Sequence, residues 1–129
     1  MQIGQLDHVN IRTANLDAMV QWYCDILGMQ NGERPPFPFP GAWLYAGEKP
    51  VVHLVGVPEE PQGLEPKVEH FALTACDLAG FLAALTAADV AHRTVRVPEI
   101  GVLQVNLHDV DGNHIHIDFS PEEADALGL

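Results

Sequence analysis

The chain has 129 residues, a hydrophobic fraction of 47% and a formal net charge of −12, which predicts one soluble globular domain rather than a disordered or two-domain protein. No apolar run approaches the roughly 18–20 residues of a membrane span. An acidic chain with six Lys and Arg would be repelled by phosphate backbones, so neither membrane nor nucleic acid is expected as a partner.

Residues 6–12, Leu-Asp-His-Val-Asn-Ile-Arg, alternate as a strand, with His8, Asn10 and Arg12 on one face and Val9 and Ile11 on the other. Thr13 or Asn15 is then placed to cap a helix whose apolar positions, Leu16, Met19, Val20, Tyr23, Ile26 and Leu27, fall at helical spacing, with Gly28 as the stop. Residues 34–40, Arg-Pro-Pro-Phe-Pro-Phe-Pro, lack too many backbone donors for regular structure and predict a stiff surface loop carrying Phe37 and Phe39. Strands follow over 42–46 and 51–57, the second around His53. Residues 58–66 are acidic and proline-rich and read as a linker.

After the linker the pattern restarts. Residues 68–74 match 6–12, with His70 lying 62 positions after His8. Leu78, Phe81, Leu82 and Leu85 repeat the helical stripe. Strands are predicted near 91–97 and 102–108, then a turn through Asp109-Val110-Asp111-Gly112-Asn113, in which Gly112 and Asn113 tolerate positive φ. The last strand, 113–119, sends Ile115, Ile117 and Phe119 to one face and His114, His116 and Asp118 to the other. His8 to His53 is 45 residues and His70 to His116 is 46. The chain is therefore read as two copies of a β-α-β-β-β unit, over 1–57 and 67–120, with the linker 58–66 between them and a tail 121–129.

Seven histidines against six Lys and Arg direct attention to metals. His8, His53, His70 and His116 occupy equivalent places on the first and last strands of the copies, and convergence of neutral imidazoles is what a divalent ion such as Zn, Ni, Fe or Mn requires. A lone histidine would be read as a hydrogen-bonded structural residue, and it is the fourfold recurrence that favours ligation. His108 and His114 are placed to support ligands, while His92 is expected to be exposed. Arg12 is either a surface ion-pair partner or a clamp for a substrate carboxylate. Phe37 and Phe39, with Trp43, would form an apolar wall at a pocket mouth, unless the loop packs on a second copy. Cys24 and Cys76 read as buried thiols. With the absence of a charged and apolar leader at the N-terminus, they point to the cytoplasm.

Four stretches resemble the vicinal oxygen chelate superfamily, the group of glyoxalase I, bleomycin-resistance proteins and extradiol dioxygenases. They are Leu6-Asp7-His8-Val9, the helix end Trp22-Tyr23-Cys24-Asp25-Ile26-Leu27-Gly28-Met29, Glu69-His70-Phe71-Ala72-Leu73, and Asp109 to Ile115. The resemblance spans essentially the whole chain. It implies an α+β fold of two tandem βαβββ units whose U-shaped mixed sheets enclose a metal cleft. It also implies metal ligands at His8, His53, His70 and His116, although the family usually carries Glu at the places of His53 and His116. Arg12 matches an arginine that holds a glutathione carboxylate in glyoxalase I, and Asn10, Phe37, Phe39 and Trp43 join it as expected substrate-binding residues.

The expected function is a metal-dependent, glyoxalase-like lyase or isomerase that binds a small oxygenated molecule by bidentate chelation. Alternatives are an Fe(II) extradiol-type dioxygenase and a non-catalytic drug-binding protein, whose cationic ligand would suit the −12 charge. Pairing of the halves within one chain or between two remains open, and resemblance to glyoxalase I favours a homodimer with composite sites.

Overall fold

The computed structural model describes residues 1–2, 4–63 and 67–129. Residues 64–66 of the expected linker lie outside the described residues. The chain divides into two compact units, 1–63 and 64–129.

In the first unit, β1 (Val9–Thr13) leads into α1 (Leu16–Leu27), followed by β2 (Gln30–Gly32), β3 (Gly41–Ala46) and β4 (Lys49–Gly56). The sheet order is β1-β4-β3-β2, with β1 parallel to β4 and the other pairings antiparallel. Asn15 is the N-cap of α1, and its backbone N–H donates to Thr13 Oγ1 at 2.9 Å, so both expected cap residues take part in the entry. Met19 and Tyr23, one turn apart, bury the apolar stripe of α1. Ala42, Leu44, Val52 and Leu54 are the buried apolar residues of the sheet, with Thr13 and His53 buried beside them. Large aliphatic side chains buried to this extent contribute about 1.5–3 kcal/mol each.

The second unit runs β5 (His70–Thr74), α2 (Leu78–Ala87), β6 (His92–Arg96), β7 (Leu103–His108), β8 (His114–Phe119) and α3 (Pro121–Ala126). Its sheet order, β5-β8-β7-β6, repeats that of the first, with β5 parallel to β8. Leu103, Val105 and Leu107 of β7 and Ile115, Ile117 and Phe119 of β8 are buried, together with Leu78 and Leu85 of α2. The fold is thus α+β, two tandem βαβββ units, each with a four-stranded mixed sheet.

The register shows how closely the copies correspond. Asn10 lies opposite His53 across β1 and β4, and Ala72 lies opposite His116 across β5 and β8. In both, the last-strand histidine faces the residue two positions after the first histidine. The one-residue difference in spacing is therefore absorbed between the strands, and the pairing itself is unchanged.

Three elements depart from the sequence reading. The short β2 is the third strand that the βαβββ reading of the first unit required but did not locate. The tail contains α3, with Ser120 as N-cap accepting from Glu123 N at 3.3 Å and Pro121 in its first turn, the combination that starts a helix. Glu123 Oε1 also accepts from the backbone N–H of Asp77 and Leu78, at 2.6 and 3.0 Å, so α3 caps α2. The cysteines are free but not buried: Cys24 is half-buried in α1, and Cys76 is exposed because it precedes the first turn of α2. Among the described residues, no helix is long and apolar enough to cross a membrane.

Candidate functional site

The parallel pairing of first and last strands brings two histidines together in each unit. In the first, the rings of His8 and His53 stack with centroids 3.9 Å apart and planes 12° apart. Trp43, which lies opposite His53 across β3 and β4, stacks on its other side at 4.1 Å and 11°. His53 is buried, and its Nε2–H donates to Pro50 O at 3.1 Å, leaving Nδ1 as the lone-pair nitrogen. Burial pushes the His53 pKa down, with the nearby His8 adding to the effect and the Pro50 carbonyl opposing it. The neutral form is the one that can ligate.

In the second unit, His70 and His116 lie 4.5 Å apart with planes inclined by 50°. His116 is buried, and its Nδ1–H donates to Asp118 Oδ1 at 2.6 Å. His70 Nδ1–H donates to Glu69 Oε2. The other oxygen of Glu69 accepts from His114 Nδ1–H at 2.7 Å, while His114 Nε2 faces Asn106 Oδ1 at 2.9 Å. His108 stacks on His114. Hydrogen bonds from His70 and His114 hold the Glu69 carboxyl below the usual carboxylate range, so it stays ionised and orients both rings.

His8 repeats the arrangement, its Nδ1–H donating to Asp7 Oδ2 at 2.6 Å. Asp7-His8 and Glu69-His70 are therefore equivalent acidic–histidine dipeptides, 62 residues apart. Asp7 and Glu69 were not singled out from the sequence as site residues, and the duplicated dipeptide was the signal for both; Asp118, on the face of His116, was a candidate proton acceptor. A carboxylate on Nδ1 fixes the tautomer and leaves Nε2 free, the usual environment of a metal-ligating imidazole.

The histidines thus fit a divalent ion to different degrees. The rings of His70 and His116 are inclined rather than stacked, so parallel planes do not hold their in-plane lone pairs apart. The nearly parallel rings of His8 and His53 do not converge as they stand, so His8, exposed just before β1, has to turn to share an ion with His53. Among the described residues, Glu69, His70 and His114 form a group whose potential ligand atoms lie within 4.8 Å of one another. In that group both Glu69 oxygens already accept from the two imidazoles.

A cavity of about 130 Å³ opens beside His53. Asn10, Arg34, Phe37, Phe39 and Trp43 line it with His53, so four of the five expected substrate-binding residues surround one space. Arg12 is exposed and does not line it. Arg34 was not expected there. Its guanidinium lies 5.0 and 5.1 Å from the ring centres of Phe37 and Phe39, and its Nη2–H donates to Phe39 O at 3.0 Å. His92 is exposed, bonded to Val90 O.

The fold is similar to that of a glyoxylase/bleomycin resistance protein/dioxygenase domain from Frankia sp. EAN1pec, with 18% identity over 92% of this chain and 93% of that one and a TM-score of 0.76. It is also similar to a glyoxalase family protein from Bacillus anthracis (17% identity, 93% and 98% covered, TM-score 0.77). A lactoylglutathione lyase from Agrobacterium tumefaciens shares the fold as well (18%, 95% and 98%, TM-score 0.71). No curated protein matches the chain by sequence. The family model for the Glyoxalase/Bleomycin resistance protein/Dioxygenase superfamily matches residues 5–117, and the chain, with its duplicated unit and paired strand histidines, belongs to that superfamily.

Proposed function

We propose that the protein is a metal-dependent, glyoxalase-like lyase or isomerase of the cytoplasm, acting on a small oxygenated molecule that chelates a divalent ion through two oxygens. His8, His70 and His116 would hold the ion, with His53 as a fourth ligand. The observation that carries this reading is the set of carboxylates on Nδ1 of His8, His70 and His116, since a binding cleft without a metal has no use for three imidazoles prepared in the same way. Bound there, the ion would polarise the substrate oxygens and lower the cost of removing a proton beside them.

The chain's own groups supply the rest. Asp7, Glu69 and Asp118 orient the imidazoles. His114 is the proton carrier in this reading, because it lies beside His70 and is held between Glu69 and Asn106 by hydrogen bonds that a substrate oxygen can replace. Metal analysis of protein purified without chelators or a nickel column should find about one ion per chain. Folded protein without stoichiometric metal would reject the reading. Iron, rather than zinc, nickel or manganese, would favour the ring-cleaving dioxygenase alternative.

Each unit contributes two of the four ligands, so a site requires both. We place the complementary halves on two chains of a homodimer, with two composite sites about a two-fold axis. Mixing a His8→Ala, His53→Ala double mutant with a His70→Ala, His116→Ala double mutant, under subunit exchange, should restore one metal site per mixed dimer. No recovery despite demonstrated exchange would reject the composite arrangement.

A further inference from the structure

We propose that the cavity of the first unit seats one flat aromatic ring bearing a carboxylate, with Arg34 receiving the carboxylate and the inclined rings of Trp43 and Phe37 contacting it. The proposal deepens the function above by naming a class for the substrate, and it rests on that reading only in taking this cavity as part of the substrate cleft.

Size, shape and charge point the same way. A cavity of about 130 Å³ is close to the volume that accommodates a single benzene ring. Its walls are aromatic faces: Phe37 and Phe39 stack at 5.3 Å and 14°, Trp43 is parallel to His53, and the two pairs meet at an angle, with Phe37 6.3 Å from Trp43 and inclined to it by 47°. An arenecarboxylate is planar throughout and suits such walls better than a tetrahedral phosphate or sulfonate.

Among the described residues, Arg34 is the one formally charged residue lining the cavity. In a chain of net charge −12 it has no carboxylate partner among the described residues. Stacking against Phe37 and Phe39 and the bond to Phe39 O hold its fork in place, and the remaining donors match a planar oxyanion. Gly41 makes room for it, because a Cβ there would come within 2.8 Å of Arg34 Nη2 and 2.5 Å of Leu54 O. The local charge is thus opposite to that of the whole chain, and it disfavours the cationic ligand that the net charge alone would suit.

The test uses the full-length chain stripped of metal by EDTA, so that a carboxylate cannot bind through an ion. Titration with benzoate, benzamide, benzylammonium and cyclohexanecarboxylate is followed by the Trp43 indole N–H shift in ¹H–¹⁵N spectra, with Trp43→Phe used to assign the signal. Benzoate is expected to bind at least about tenfold more tightly than each of the others, since an Arg–carboxylate pair and ring stacking each supply about a factor of ten. Arg34→Gln should remove the preference for benzoate over benzamide while leaving benzamide binding within about threefold.

Equal binding of benzoate and benzylammonium, or no movement of the Trp43 signal, overturns the proposal. The comparison among ligands on the unmutated chain decides it even if Arg34→Gln disturbs the loop. A parallel metal titration separates the two readings: metal uptake without benzoate binding defeats only this inference. Benzoate binding without metal uptake leaves the seat standing and defeats the metalloenzyme.

Discussion

At the same place in the two sheets, the last-strand histidine has different neighbours. His53 lies between Asn10 and Trp43, whereas His116 lies between Ala72 and Asn106. The tryptophan in the first unit begins an aromatic wall, in which the rings of Trp43 and His53 stack and the loop phenylalanines close the cavity. The asparagine in the second unit reaches His114 and extends a polar network through Glu69 to His70. One backbone plan therefore gives the last-strand histidine two kinds of surroundings, apolar and flat for His53, carboxylate-supported for His116. Duplication supplied the histidine positions, and the strand next to them set what each pair is suited to do.

That contrast predicts unequal dependence of metal binding on the two copies. His116→Ala removes a buried imidazole already oriented by Asp118. It should weaken metal affinity by more than about 100-fold, beyond the loss usual for a supporting residue. His53→Ala, which removes a ring stacked away from convergence, should cost about tenfold. Competition with a chromophoric chelator measures both, and equal losses would erase the distinction between the units.

The supporting carboxylates should rank in the same way. Glu69 orients two imidazoles and Asp7 one. Glu69→Gln is accordingly expected to reduce metal affinity by about 10- to 100-fold and Asp7→Asn by about tenfold or less. A larger effect at Asp7 would show that the first unit dominates the site.

A smaller effect tests the brace between α3 and α2 in the second unit. Glu123→Ala removes the acceptor of two backbone donors at the start of α2. The expected cost is about 1 kcal/mol of stability, typical of a lost helix cap. Thermal unfolding would record it, with metal affinity unchanged once the protein is folded.

Much of this was legible from periodicity. The stripe from Leu16 to Leu27, the alternation around Ile115 and Ile117, and the 62-residue offset between His8 and His70 express the elements and the duplication directly, because side-chain direction repeats with the backbone. What was missed depends on contacts that periodicity does not encode. Glu123 caps a helix more than forty residues earlier in the chain. Arg34 owes its place at the cavity to the carbonyl of Phe39 and the space at Gly41, while its sequence context says only that a proline-rich loop begins. Arg12, although on the face of His8 by alternation, does not border the cavity. Ser120-Pro121-Glu122-Glu123 was a readable helix start, obscured by its place after the last strand.

The finest test of the comparison is the titration of His53 itself. Its pKa is lowered chiefly by burial, and Trp43 covers one face of the ring. In the metal-free chain, long-range ¹H–¹⁵N spectra should show His53 titrating below the ordinary imidazole value of 6.5. Because the unfolded chain then binds this proton more readily than the folded one, the linked stability is present above that ordinary value. It declines as pH falls through the window toward the folded pKa. Trp43→Ala admits water to the exposed face and should move the titration of His53 back up toward 6.5. An unchanged titration in that variant would mean that Trp43 does not desolvate the ring, and the aromatic wall would lose its claim to set the chemistry of the first unit.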